Sequence, residues 1–210
     1  MSIIAVASTK GGPGKTTLAV NLADAFHRAG SGVAALDLDP NTNLTRWLEK
    51  GRIDDVALHT CLDEDAVVST ALELGRSHDF VILDVPGFGA RSLVYAVGVA
   101  DFVLIPSKSS EDDVLEAIKT RNIVRQTAEL ARRTIPHAAV LTQVDPRTRV
   151  YLHSRRQFEA FGVPVLEAFV PARTVYQQAR FEGLSVLGMD NTEAKDDITR
   201  LANDIIAAIP

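Results

Sequence analysis

The chain of 210 residues has a single cysteine, Cys61. One thiol can neither close an intrachain disulfide nor build a thiolate metal site, so a reducing compartment is expected. No apolar run approaches the roughly 18 residues of a membrane-spanning helix. The opening MSIIAVASTKGG lacks the basic region and long apolar stretch of a secretory signal, which points to a cytoplasmic protein. Proline-, glycine- or serine-rich linkers, low-complexity tracts and internal repeats are also missing. Net positive charge is missing: 27 acids outnumber 22 lysines and arginines, and the net charge of −5 at pH 7 argues against a surface coated for nucleic acid. What is present is ordinary globular composition, 46% hydrophobic and 23% charged, which excludes wholesale disorder, collagen and coiled coil. A chain of this length buries about 70% of its unfolded surface and needs no covalent staples.

Short apolar runs alternate with longer helical patterns. The runs are Ile3–Ala7, Val33–Leu36, Phe80–Leu83, Phe102–Ile105, Ala138–Leu141 and Val165–Phe169. Most are continuously apolar, as strands buried on both faces must be. Between them, Leu18, Leu22 and Phe26 fall four apart ahead of Gly30. The stretches Glu111–Arg133 and Val150–Phe161 read as helices, closed by Pro136 and Gly162. This alternation predicts βαβ units, a mainly parallel sheet and a three-layer α/β/α sandwich, with one domain over residues 1–210. The terminal pattern Ile198, Leu201, Ala202, Ile205, Ile206, Ile209 predicts an amphipathic helix. Its acidic neighbours Asp196, Asp197 and Asp204 favour docking on the sheet over lying on a membrane.

The first strand runs into Ser8-Thr9-Lys10-Gly11-Gly12-Pro13-Gly14-Lys15-Thr16-Thr17. Gly14-Lys15-Thr16 fits the end of a P-loop, although Thr9 stands where the strict pattern has glycine. Glycines let backbone N–H groups curl around phosphate oxygens, and a helix N-terminus adds positive dipole. Lys15 would reach the β- and γ-phosphates, and the Thr16 hydroxyl would bind Mg²⁺. A lysine at the start of the loop, Lys10, completes the deviant Walker A pattern KGGxGK[ST][ST]. On these residues the sequence resembles the ParA/MinD superfamily of deviant Walker ATPases.

The resemblance implies a P-loop NTPase fold of deviant Walker type and a specific mechanism. Lys10 matches the lysine that crosses a dimer interface to the partner subunit's phosphates, so an ATP-dependent homodimer is expected. Asp37-Leu38-Asp39-Pro40-Asn41 resembles the family's switch I, with Asp39 near Mg²⁺ and the attacking water, and Asn41 where glutamine is usual. Asp37 reads as support for that loop. The strand ending in Asp84 reads as Walker B, carrying Asp84 to Mg²⁺, and Gly87 would offer an N–H to the γ-phosphate. The phosphate-binding set is therefore Lys10, Gly11, Gly12, Pro13, Gly14, Lys15, Thr16, Thr17 and Gly87. Lys10, Lys15 and Asp39 serve hydrolysis; Thr16, Asp39 and Asp84 serve the metal. Thr142-Gln143-Val144-Asp145 is not the guanine motif NKxD, and the resemblance points to ATP, with adenine near Thr142 and a loop over Pro171–Val175 that includes Arg173.

Such ATPases share an engine and differ in cargo. The first reading is a partition ATPase whose ATP dimer binds DNA non-specifically and is released when a centromere-binding partner stimulates hydrolysis. With the P-loop starting at residue 8, no helix-turn-helix domain is expected before it. Between Pro146 and Phe181 six arginines (147, 149, 155, 156, 173, 180) face two acids, a local charge of +4. Arg147, Arg149, Arg155 and Arg156 are the candidate DNA contacts, and solvated helix charge is the plain alternative. A second reading is a positioning ATPase for a protein cargo or conjugation complex, with a cargo adaptor as the stimulating partner. The acidic tail disfavours a membrane-bound division regulator, and one cysteine excludes a cluster shared between subunits. Amidoligase or kinase relatives and a non-hydrolysing scaffold stay open.

Overall fold

The computed structural model describes residues 1–51, 53, 55–87 and 91–209. In chain order the elements are β1 (Ser2–Val6), α1 (Lys15–Arg28), β2 (Val33–Asp37), α2 (Asn43–Leu48), β3 (Val56–Thr60), α3 (Val67–Gly75), β4 (Phe80–Asp84), α4 (Arg91–Val99), β5 (Phe102–Ser107), α5 (Glu111–Ala131), β6 (His137–Val144), α6 (Arg149–Ala160), β7 (Val165–Pro171), α7 (Thr174–Glu182) and α8 (Thr192–Ala208). The strands form one sheet in the order β3-β2-β4-β1-β5-β6-β7, and every recorded pair is parallel.

Each central strand feeds two cores. Ile4 and Val6 of β1 point into one, and Ile3 and Ala5 into the other. Successive side chains of a strand leave opposite faces, so a continuously apolar strand is what a doubly covered sheet requires. The first core is closed by α1, α2, α7 and α8, with Phe26, Trp47, Tyr176 and Leu201 among its members. The second is closed by α3 to α6 through Val67, Leu93, Val114 and Phe158. The terminal helix docks as expected: Ile198, Leu201 and Ile205 are fully buried, while Ile206 is exposed.

Three differences from the sequence reading have local causes. The edge strand β3 is half-buried and carries His59 and Thr60, so it lacks the apolar run that marks the inner strands. The six residues of α2 are too few to display a period. The span 171–175 is not one loop: Pro171 ends β7, and α7 starts at Thr174.

The register places the site. Asp84 pairs with Val6 on one side and Asp37 on the other, so the ends of β1, β2 and β4 open on the same edge. β1 sits between β4 and β5, where the winding of the sheet reverses, and ligands of open α/β sheets bind at that point.

Candidate functional site: a phosphate cradle at the carboxyl edge of the sheet

The loop from β1 to α1 turns on two glycines with left-handed backbone, Gly12 at φ 91° and Gly14 at φ 95°. Side chains rarely adopt that conformation, so glycine is the residue that allows the curl. Gly14 is the N-cap of α1 and has no side chain to bond the first-turn N–H groups, and no acid lies in that turn. Those donors face a cavity of about 610 Å³ lined by Gly11, Gly12, Lys15, Thr16, Asp39 and Gly87, among others. Orphan N–H groups and a positive helix end make this an anion site. A Cβ on Gly87 would stand 3.1 Å from the Lys10 carbonyl, so the segment after β4 lies hard against the P-loop.

Lys15 is buried, and its Nζ donates to the Lys10 carbonyl at 3.0 Å. Burial pulls this ammonium below its ordinary pKa, against the opposing pull of the Asp84 and Asp39 carboxylates. The Thr16 hydroxyl donates to Asp84 Oδ2 at 2.6 Å. The other carboxylate oxygen, Asp84 Oδ1, is buried with no partner. Burial pushes this carboxyl up to about 7, with Thr16 opposing and Asp37 adding to the rise. An unpartnered buried carboxylate oxygen beside a hydroxyl fits a cation-binding position. Among the described residues no group of three or more His, Cys, Asp or Glu could hold a metal alone. That suits Mg²⁺, which takes one or two carboxylates and completes its shell with phosphate oxygens and water.

This strain has a measurable consequence. An acid with a raised folded pKa costs stability as pH rises, here across the window from about 4 to about 7, and the cost is constant above it. Asp84→Asn keeps the contact with Thr16 and removes the charge. We expect the nucleotide-free variant to be more stable than the parent at pH 8 by about 1–3 kcal/mol, with the two converging near pH 4, and to lose Mg²⁺-dependent nucleotide binding. Thermal melts across pH check this; a variant that melts below the parent at pH 8 would contradict it.

The switch loop is tied to the same edge. Asp37 Oδ2 accepts from the backbone N and hydroxyl of Thr45 at 2.8 and 2.9 Å, and its Oδ1 accepts from Asp39 N, so it braces the loop and α2. Asp39 lines the phosphate cavity, and its Oδ1 accepts from both the backbone and the side chain of Asn41. Thr9 occupies its glycine position as an anchor to α5: its hydroxyl donates to Glu116 Oε2 at 2.8 Å and its N–H to the Thr120 hydroxyl at 3.1 Å. Lys10 turns away from the phosphate cavity and reaches Asp113 on α5 at 2.8 Å, with 41% of its side chain exposed.

A second cavity of about 340 Å³ adjoins the first and is lined by Pro13, Thr17, Thr142, Pro171, Arg173 and Tyr176, among others. The Thr142 hydroxyl donates to the Pro13 carbonyl at 2.7 Å. Arg173 is held by Asp197 at 2.9 Å and by Glu193, both on α8. The remaining arginines differ among themselves. Arg147 clasps Asp145 with two nitrogens and holds that carboxyl down to about 2. Arg155 folds against β7, bonding Glu167 and the Leu166 carbonyl, with 18% of its side chain exposed. Arg149 and Arg156 are exposed on α6.

Three cleft residues escaped the sequence reading: Gln143, Asn43 and Arg180. Gln143 has φ 54° at an irregularity in β6, and its amide reaches the Gly12 carbonyl at 3.3 Å. Arg180 was visible only as one of six arginines in a basic window. Its distance in sequence from the P-loop gave no sign that α7 returns over the cleft.

A glycine cradle at a helix N-terminus, a buried lysine, and a Thr–Asp pair at the end of a neighbouring parallel strand define a P-loop nucleotide-binding protein of the deviant Walker type. The chain belongs to the CobQ/CobB/MinD/ParA nucleotide binding domain family, whose model matches residues 4–186. It is 33% identical over 211 residues to a maintenance of carboxysome distribution protein A from Halothiobacillus neapolitanus, covering 97% of this chain and 95% of that one. It is 32% identical over 179 residues to a protein ParA from Rhizobium radiobacter, covering 84% and 81%. The cell division ATPase MinD of Pyrococcus furiosus shares the fold, with a TM-score of 0.82 at 20% identity over 98% of both chains. Among the described residues no helix is long and apolar enough to cross a membrane.

Proposed function

We propose that the protein is a slow, Mg²⁺-dependent ATPase that dimerises on ATP, binds DNA non-specifically in that state, and uses partner-stimulated hydrolysis to segregate DNA. The observation that carries this reading is the division of labour between two lysines. Lys15 is buried at the phosphate cavity. Lys10, from the same loop, points outward and is held by Asp113, from which it would have to part to serve a second subunit's nucleotide.

The residues have distinct tasks. Lys15 and the backbone N–H groups of Gly12, Gly14, Lys15 and Thr16 hold the phosphate chain; Pro13 between them has none to offer. Thr16 and Asp84 hold the metal, with Asp84 acting through water. Bound Mg²⁺ would offset charge on the transferring phosphoryl oxygens. Asp39 orients the attacking water, and Gly87 keeps the backbone after β4 close enough to follow the nucleotide's state. Thr142, Pro171 and Arg173 border the adenine. On DNA, exposed Arg149 and Arg156 of α6 meet phosphates first, while Arg147 and Arg155 must first leave Asp145 and Glu167.

The test is binding to non-specific duplex DNA without nucleotide, with ADP, and with ATP plus Mg²⁺, at two salt concentrations. Binding confined to ATP and falling steeply with salt is expected. No binding in any state, with hydrolysis intact, would remove DNA from the reading. A second reading, positioning of a protein cargo, is favoured by the likeness over nearly the whole chain to a carboxysome distribution protein. It shares the DNA-bound dimer and differs in the adaptor that stimulates hydrolysis. Location on the nucleoid in the ATP state follows from either.

A further inference from the structure

We propose that Arg180 is a nucleotide-binding residue that grips the sugar–phosphate segment between base and β-phosphate and positions switch I through Asn43. This rests on the reading of the site as an adenine-nucleotide pocket. Among the described residues, four line both cavities: Gly14, Thr17, Gln143 and Arg180. They mark the seam through which a nucleotide must pass to place its base in one cavity and its phosphates in the other. Gly14 and Thr17 contribute from the P-loop side. Across from them, the one cation at the seam among the described residues is Arg180.

Its surroundings leave it available. Its guanidinium donates to Asn43 Oδ1 at 2.9 Å and lies over the Trp47 ring, 5.7 Å from its centroid. Both partners are neutral. It contrasts with Arg173, which two acids of α8 hold at the far side of the base cavity. Nor is Arg180 needed to close its own helix. Gly183 does that in a left-handed conformation, with its own N–H and that of Leu184 on the carbonyls of Arg180 and Ala179, and Lys50 Nζ adds bonds to the carbonyls of Arg180 and Phe181 at 2.6 and 2.9 Å. A guanidinium has five donors in a flat fork, so it can hold Asn43 on one side and a phosphate or ribose oxygen on the other while stacked on an indole.

The link to switch I is short. Asn43 is the first residue of α2, and its Oδ1 also takes a bond from Arg46, whose fork holds the Asn41 carbonyl at 2.6 Å. Asn41 in turn bonds Asp39. Occupation of the seam thus bears on the loop that carries the water-orienting carboxylate.

Trp47 is the chain's single tryptophan, so tryptophan emission reports on the surroundings of this one side chain, which include Arg180 as well as the Leu184 carbonyl and the core beneath. The experiment titrates ATP and ADP, each with Mg²⁺, into the parent, Arg180→Ala and Arg180→Lys, recording affinity by calorimetry and Trp47 emission. In the parent both nucleotides bind and shift the emission. In Arg180→Ala both affinities fall by about tenfold, because the α-phosphate and ribose are common to the two. The emission shift is lost, and the apo melting temperature is unchanged. Arg180→Lys restores part of the affinity without the emission shift, since an ammonium cannot stack and fork at once. Parent-like affinity in Arg180→Ala overturns the proposal. So does a loss confined to ATP, which would place the charge at the γ-phosphate, or a loss matched by a lower apo melting temperature, which would make Arg180 structural. Failure of the parent itself to bind either nucleotide would instead overturn the adenine-nucleotide reading.

Discussion

Lys15→Ala is expected to reduce ATP affinity by at least about a hundredfold, with little loss of fold. The Lys15 ammonium is buried and bonds a carbonyl of its own loop, at Lys10. Burial works against its charge, and Asp84 and Asp39 only partly compensate. Removing the ammonium relieves the cost of that burial, while buried Asp84 loses a neighbouring cation and holds a proton more readily, so the two changes offset and the apo melting temperature stays within a few degrees of the parent's. The phosphates lose the buried Lys15 cation, the one buried cation that lines the cavity among the described residues, and the helix N-terminus alone does not replace a full charge. Calorimetry with ATP and Mg²⁺, beside an apo melt, separates the two effects. Parent-like ATP affinity in this variant would sink the nucleotide assignment. A large drop in melting temperature would show that Lys15 is first a structural residue.

The same contrast between folding and binding explains what could be read before the structure. β1, β2, β4 and β5 are buried on both faces, so their apolar runs stand out, and those of β2 and β4 end where Asp37 and Asp84 stand. The P-loop was legible because it is local: cradle, lysine and hydroxyl lie within ten consecutive residues, and their chemistry requires that order. β3 was not legible, because an edge strand with one open side tolerates His59 and Thr60. Arg180 and Asn43 were not legible for a different reason. They are 137 residues apart, and only the return of α7 over α2 brings guanidinium and amide together. Thr9 lies between these cases. As a departure from the glycine pattern it looked like a weakness in the motif. The fold uses it as a tether, binding the P-loop to Glu116 and Thr120 on one face of α5. The basic window shows the limit of counting charges: Arg147, Arg155 and Arg173 are each engaged by acids that the sum placed elsewhere or cancelled.

Lys10→Ala should leave nucleotide affinity within a few-fold of the parent and abolish ATP-dependent dimerisation. Lys10 does not line the phosphate cavity of its own subunit; it is parked on Asp113, and that hydrogen bond raises its pKa. If Lys10 serves a neighbouring subunit's phosphates as proposed, its ammonium must leave the carboxylate, and the pair would then oppose the dimer. Two variants on opposite sides of one contact should therefore act in opposite directions. Lys10→Ala stays monomeric by light scattering at protein concentrations where the parent with ATP and Mg²⁺ is dimeric. Asp113→Ala frees the lysine and shifts dimerisation to protein concentrations lower by a few-fold, the scale of an exposed ion pair. Asp113 is also bonded to Ser110 at the N-cap of α5, so a melt of Asp113→Ala must show that the helix persists. The double variant decides the matter. If Lys10 acts across the interface, removing Asp113 in its absence changes nothing, because the carboxylate's whole effect on assembly passes through the lysine. If the double variant regains the dimer, Asp113 opposes assembly by its own charge, and the outward reach of Lys10 has another purpose.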